Sequence, residues 1–267
     1  MQTMIRSFDG TQLFLNTETT DSDKAICVMV HGLCEHQGRY DYMAETLHYC
    51  QIGTYRFDHR GHGKSEGERT FYNNYEEMLK DVDLIVSTAI EENPQKPIFL
   101  LGHSMGGFAV SLYGAKYPDK KIKGIITSGG LTKDNFKLIS EVPKDQDPHG
   151  LLPNQLGSGV CSVQSVVEDY EKDPLNTKTF TIGLCYAIQN GIKWFTRAKR
   201  KFNYPVLILH GEKDGLVSPV DSLQFFEKIA SKDKQIKIYG GLFHEIFNEY
   251  AKDETIGDVI NWIHRRI

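Results

Sequence analysis

A serine with a glycine two residues away on either side can sit on a turn tight enough to lift its hydroxyl clear of the backbone. There it meets a base and the amides that bind an oxyanion. The chain carries this spacing twice, as Gly102-His103-Ser104-Met105-Gly106 and as Gly63-Lys64-Ser65-Glu66-Gly67. Context separates the two. Ser104 follows Ile98-Phe99-Leu100-Leu101, a run expected as a strand buried on both faces. Met105, Phe108, Ala109, Leu112 and Tyr113 then recur at helical spacing up to Tyr117-Pro118. Ser65 lies among His62, Lys64, Glu66, Glu68 and Arg69 with no apolar helix behind it, and reads as a surface loop. A phosphate-binding loop ending at Lys64-Ser65 would need glycine at position 58, which is Asp58.

A nucleophilic serine needs a base to take its proton and a carboxylate to orient that base. In sheet proteins with a serine on such a turn, the partners follow in the order serine, acid, histidine. That order narrows the ten histidines to His244 and His264. His264 falls among Trp262, Arg265 and Arg266, on the surface of a closing helix, whereas His244 follows Gly240-Gly241 on a loop at the right edge. His244 is the candidate base, taking the Ser104 proton and returning it to a leaving alcohol. The candidate acid is Asp214, just after the run Val206-Leu207-Ile208-Leu209. Asp134 is the alternative, and Glu212 is expected to turn away. The oxyanion donors are expected to be the backbone N–H groups of Met105, at a helix start, and of Leu33, with His31 bracing the Leu33 loop.

The elements that must position these groups are legible as apolar runs and periodic stretches. Strands are expected over 4–8, 12–18, 25–30, 52–57, 98–101, 122–127, 206–209 and 236–239. Helices are expected over 40–49, 75–92, 105–117, 222–230 and 255–265. Asp9-Gly10 marks the first two strands as a hairpin. Alternation of strand and helix predicts an α/β fold with a mostly parallel sheet, helices on both faces and the chemistry at the carboxyl ends of the strands. The alternation fails between Gly130 and Tyr204, a stretch of about 75 residues, too long for a plain loop, in which an apolar-spaced helix is expected over 179–197. We read 1–130 and 204–267 as the core and 131–203 as an inserted helical cap.

Bulk properties exclude some classes. With 25% charged residues and a net charge of −4, the 267-residue chain has no overall pull toward nucleic acid. The five cysteines, Cys27, Cys34, Cys50, Cys161 and Cys185, are odd in number and form no C-x-x-C pair. Free thiols in a reducing cytoplasm are expected, with no structural zinc. No secretory signal and no bilayer-spanning run is evident.

Together the motifs resemble the serine-hydrolase branch of the α/β-hydrolase superfamily, and within it the monoacylglycerol lipase and bacterial lysophospholipase group. The matching segments are His31-Gly-Leu-Cys-Glu-His-Gln-Gly-Arg-Tyr40, Phe57-Asp-His-Arg-Gly-His-Gly-Lys-Ser65, Gly102-His-Ser-Met-Gly-Gly107, His210-Gly-Glu-Lys-Asp214 and His244-Glu-Ile-Phe-Asn-Glu249. In the cap only Asp169-Tyr-Glu-Lys-Asp-Pro-Leu175 matches. The resemblance implies an α/β-hydrolase fold with an eight-stranded sheet, a triad of Ser104, Asp214 and His244, oxyanion amides of Leu33 and Met105, and no cofactor. It also implies that Glu35, His36, Arg39 and Tyr40 support the oxyanion loop, and that His59, His62, His103 and Glu245 do no chemistry themselves. Cys34 is a departure, since relatives often carry glycine or another small residue there. A narrowed or oxidation-sensitive site is the expected consequence.

The resemblance implies hydrolysis of a carboxylic ester, with a lipid or other small acyl ester as partner. The alternatives are a small-substrate carboxylesterase or feruloyl-type esterase and, behind these, a non-catalytic binding module. In the cap, Leu184, Ile188, Ile192 and Phe195 form an apolar stripe, and Lys193, Arg197, Lys199, Arg200 and Lys201 form a basic run. Weak peripheral contact with anionic membranes is one reading. Packing of the stripe onto the core is preferred, because a second anchoring signal is lacking.

Overall fold

The computed structural model describes residues 1–267. Eight strands form one sheet: β1 (Gln2–Arg6), β2 (Gln12–Glu18), β3 (Ala25–Val30), β4 (Ile52–Phe57), β5 (Ile98–His103), β6 (Gly124–Ser128), β9 (Val206–Gly211) and β10 (Lys234–Tyr239). Their order is β1-β2-β4-β3-β5-β6-β9-β10. The β1–β2 and β2–β4 pairings are antiparallel, and the pairings from β4 through β10 are parallel. The central strands β3, β4, β5, β6 and β9 are buried at every residue, the expected signature of strands covered on both faces.

Helices α1 (Asp41–Tyr49) and α8 (Lys252–His264) cover one face, burying Met43, Leu47, Val259 and Trp262 against Cys27, Met29, Phe99 and Leu101. On the other face lie α2 (Tyr75–Glu92), α3 (Met105–Lys116) and α7 (Pro219–Lys228). The 75–92 periodicity predicts α2 without error, because Asn74 caps it by accepting from the amides of Glu76 and Glu77. Two elements shift. The first strand sits at Gln2–Arg6 rather than 4–8, since Ser7 is drawn inward to hydrogen-bond Asp81 at 2.5 Å. The seventh helix begins at Pro219 rather than 222, because Ser218 supplies a side-chain cap and Pro219 fits the first helical turn.

Between β6 and β9 the chain leaves the sheet. It forms a short antiparallel pair, β7 (Leu151–Pro153) with β8 (Thr179–Thr181), then α4 (Gly157–Val160), α5 (Gln164–Lys172) and α6 (Ile182–Ala198). The helix expected over 179–197 therefore starts three residues late. Residues 179–181 pair as a strand, and the Thr181 hydroxyl caps α6 by accepting from the amide of Leu184 at 3.2 Å. Within α6, Leu184, Ile188 and Phe195 are buried and Ile192 is half-buried, so the apolar stripe packs onto the core, with Gly191 lying against Phe108. The insertion has no core of its own. Its Ile139, Leu156, Val160 and Tyr170 join the cluster under α2 and α3. No helix is long and apolar enough to cross a membrane.

Ser65 corrects one expectation. It is in a loop, but not on the surface: its Oγ donates to the Asp58 carbonyl at 2.6 Å and accepts from the Phe14 amide at 2.8 Å. The loop turns inward because the Asp58 carboxylate collects the amides of Gln37 and Lys64, each at 2.8 Å.

Candidate active site

Ser104 links β5 to α3 with φ 55° and ψ −115°, a conformation that costs a side-chain-bearing residue about 1–3 kcal/mol. The surroundings hold it there. Its amide donates to the Ser128 carbonyl at 2.8 Å, and its carbonyl accepts from Phe108 at 2.9 Å. The flanking glycines have a steric basis: a Cβ on Gly106 would strike the carbonyls of Val30 and His31, and one on Gly102 the backbone of Gly106. The serine is half-buried, at the carboxyl edge of the sheet as expected.

Ser104 and His244 share a narrow cavity of about 20 Å³ with Leu33 and Met105. Its remaining walls are Leu131, Leu138, Ile139, Leu156, Ile188 and Leu216. The Leu33 amide donates to no protein group. Met105 is the first residue of α3, where the amide has no carbonyl within its helix to bond. The structure thus brings the serine, the histidine and both expected amide bearers to one apolar space.

His244 lies on the loop between β10 and α8, and its Nδ1 is 2.6 Å from Asp214 Oδ2. Asp214 follows β9, and its Oδ1 accepts from the amides of Leu216 at 2.9 Å and Val217 at 2.8 Å. Burial alone would raise the Asp214 pKa; the His244 charge and hydrogen bonds from His210 and His244 outweigh it and hold the carboxyl well below the usual range. Burial would likewise lower the His244 pKa, but the Asp214 carboxylate prevails and the imidazole is raised above its ordinary value.

The rejected candidates have other tasks. Asp134 accepts from the amides of Ile139 and Ser140 at 3.1 and 2.6 Å, folding the start of the insertion. Glu212 is exposed and bonds the amide of Gly241 at 3.0 Å. His264 is exposed beside the Cys50 carbonyl.

A buried network supports the Leu33 loop. Glu35 Oε1 accepts from the Gly32 amide at 2.5 Å and the Tyr40 hydroxyl at 2.7 Å. Arg39 joins Glu35, at 2.9 Å, to Glu245. Burial raises the Glu35 pKa, whereas at Glu245 the Arg39 charge overcomes burial and lowers it. His31 braces the loop as expected, its Nδ1 on the Gly32 carbonyl at 2.8 Å and its Nε2 accepting from the His59 amide at 2.9 Å. His103 packs against His244 with ring centroids 4.6 Å apart, and burial followed by the His244 charge pushes its pKa down to about 3. It stays neutral beside the candidate base.

Cys34 has φ 62°, in the left-handed region, which accounts for glycine as the easier residue there. Its thiol is buried, faces the Thr179 carbonyl at 3.9 Å rather than the cavity, and is pushed up to about 12 by burial. The expected oxidation sensitivity and narrowing are corrected accordingly: a buried thiol with almost no thiolate is inert.

Sequence reasoning assigned no task to Glu249 or His210. Glu249 accepts from the amides of Phe243 and Ser162, fastening the His244 loop to the insertion. His210 lies 2.9 Å from Asp214 Oδ2. Both stand inside quoted motifs, but chain order passes over a histidine that precedes the acid.

Residues 21–251 match the sequence model of the family described as serine aminopeptidase, S33. The chain is 30% identical over 261 residues to a monoacylglycerol lipase of Mycolicibacterium smegmatis, covering 95% of this chain and 93% of the relative. It is 32% identical over 271 residues to a monoglyceride lipase of Mus musculus, covering 97% and 89%. Among solved structures, a Paleococcus ferrophilus monoacylglycerol lipase superposes with a TM-score of 0.83 at 30% identity, covering 96% of this chain and 99% of that one. On the strength of that match and this architecture, the chain belongs to the serine aminopeptidase S33 family of α/β-hydrolases.

Proposed function

We propose that this ester hydrolase cleaves an acyl ester of glycerol, or a similar lipid ester, through an acyl-enzyme on Ser104. The observation that carries the reading is the convergence of a strained Ser104 and an Asp214-bonded His244 on one apolar cavity. The names of the relatives support a monoacylglycerol as the substrate class. In the first step Ser104 Oγ attacks the carbonyl carbon while His244 takes its proton, and Asp214 stabilises the imidazolium. The oxyanion is received by the amides of Leu33 and Met105. The C–O bond then breaks, His244 protonates the leaving alcohol, and water repeats the sequence on the acyl-enzyme.

Residues 131–203 serve as a cap in this reading, because Leu138, Ile139, Leu156 and Ile188 close the cavity from the insertion. A space of about 20 Å³ holds little more than one water, so these side chains move for an acyl chain to enter. The inward stripe of α6 supports a packing role over membrane contact, leaving Arg197, Arg200 and Lys201 as a solvated face.

The test pairs a Ser104→Ala variant with a rate panel on the purified protein. The panel compares monoacylglycerols of increasing chain length, a lysophospholipid, short nitrophenyl esters and a feruloyl ester. Highest kcat/KM on monoacylglycerols, abolished in the variant along with fluorophosphonate labelling, is expected. Labelling that persists in Ser104→Ala would refute the nucleophile. A preference for the feruloyl or short esters would move the substrate to the small-ester class.

A further inference from the structure

His210 is the penultimate residue of β9, its side chain is wholly buried, and the catalytic steps above give it no task. Its Nε2 faces two oxygens, the Val217 carbonyl at 3.0 Å and Asp214 Oδ2 at 2.9 Å. Two acceptors on one nitrogen require a proton there. Its Nδ1 stands 2.7 Å from the Ser222 hydroxyl on α7. With the ring proton on Nε2, Nδ1 is an acceptor and Ser222 donates. The Ser222 hydroxyl, on a helix outside the cavity, thus faces the ring nitrogen opposite the one that meets Asp214 and fixes the orientation of the ring.

The Asp214 side chain is also wholly buried, so water does not solvate its carboxylate. Two loop amides satisfy Oδ1. On Oδ2 the groups present are His244 Nδ1 and the Nε2–H edge of His210. We propose that His210 is a positioning residue: its Nε2–H, fixed by Ser222, substitutes for water on Oδ2 of Asp214 and so sets both the place and the basicity of the atom that meets His244. This rests on the triad reading of Ser104, Asp214 and His244.

The consequence has a sign. A donor on Oδ2 withdraws negative charge that His244 would otherwise feel. Removing it strengthens the pull on the imidazolium, so the His244 pKa rises and the acid limb of kcat/KM moves to higher pH. The looser carboxylate also orients His244 less well, which lowers kcat and leaves KM alone, since His210 touches no substrate.

The experiment compares His210→Leu, which loses the donor, with His210→Gln, whose side-chain amide restores one. Asp214→Asn serves as the control and thermal melts as the check on folding. In His210→Leu we expect kcat to fall about tenfold with KM within about twofold, and the acid limb to rise by roughly half a pH unit. His210→Gln should recover most of kcat and the original limb. An unchanged limb and kcat in folded His210→Leu, beside an inactive Asp214→Asn, would overturn the positioning role and leave the triad standing. An active Asp214→Asn would instead refute the triad reading itself. Should His210→Leu fail to fold, nitrogen-detected NMR of the unmodified protein decides: a His210 ring protonated on Nε2 alone at pH 7 is expected, and an Nδ1–H tautomer or an imidazolium overturns the proposal.

Discussion

Arg39 grips Glu245 with both terminal nitrogens of its guanidinium, at 2.5 and 2.8 Å, and so joins the loop that presents Leu33 to the residue that follows His244. The same guanidinium reaches Glu35, whose other oxygen holds the Gly32 amide. Two loops more than two hundred residues apart in sequence are thus set by one side chain.

Removing that side chain leaves two buried carboxylates facing each other. Arg39→Met should lower stability by about 3–5 kcal/mol, the usual cost of breaking a buried ion pair from one side. Arg39→Lys should lose less, since it keeps the charge and forfeits the fork. Urea denaturation monitored by tryptophan fluorescence measures both. Stability within about 1 kcal/mol of the parent in Arg39→Met would mean that water already solvates the pair.

The choice of acid is tested by two asparagine variants. Asp214→Asn should cut kcat by about three to four orders of magnitude, because the amide selects the wrong His244 tautomer. Asp134→Asn should leave kcat within a few-fold, since Asp134 binds only backbone amides. The reverse pattern in steady-state rates would exchange the two roles.

Activity should depend on pH through His244. The base works when neutral, and its pKa is raised above the ordinary 6.5. The kcat/KM profile should therefore fall as pH drops through a value above 6.5, a higher limb than a free histidine would give. A limb below 6.5, or a flat profile from pH 5 to 8, would count against His244 as the base.

Stability should fall on acidification at a higher pH than paired carboxylates alone would give. Burial and neighbouring histidines lower His31 well below 6.5 and push His59 down to about 3; burial, with the Arg69 charge, pushes His62 down to about 4, and His103 is pushed down to about 3. Below 6.5 the unfolded chain binds protons at these four positions that the native state refuses, so stability is full above 6.5 and falls as pH drops toward 4. His244 is raised and works the other way, but only in the interval between 6.5 and its folded pKa, so below 6.5 the four neutral histidines set the slope. Urea midpoints at pH 7 and pH 5 check this. Equal midpoints would mean that the cluster is hydrated and titrates normally.

The boundaries of β3, β4 and α2 were legible from residues 25–30, 52–57 and 75–92 alone. Uniform apolar runs and a helical apolar period are local properties, and burial on both faces of a sheet leaves little else for such segments to do. The glycine spacing around Ser104 and the order of acid and histidine likewise singled out the groups that meet in the cavity. What only the tertiary structure decided is where polar side chains turn inward. Ser65 and His62 read as a surface loop, yet they are buried: Ser65 accepts from the Phe14 amide of β2, Asp58 gathers the amides of Gln37 and Lys64, and His31 accepts from the His59 amide. The β7–β8 pair and the late start of α6 follow from a partner strand about 28 residues away, which no local window contains. Arg39 with Glu245, and His210 with Asp214, are pairings of the same kind. Local sequence sets which elements form, and the free energy of burying a charge sets which residues must meet inside them.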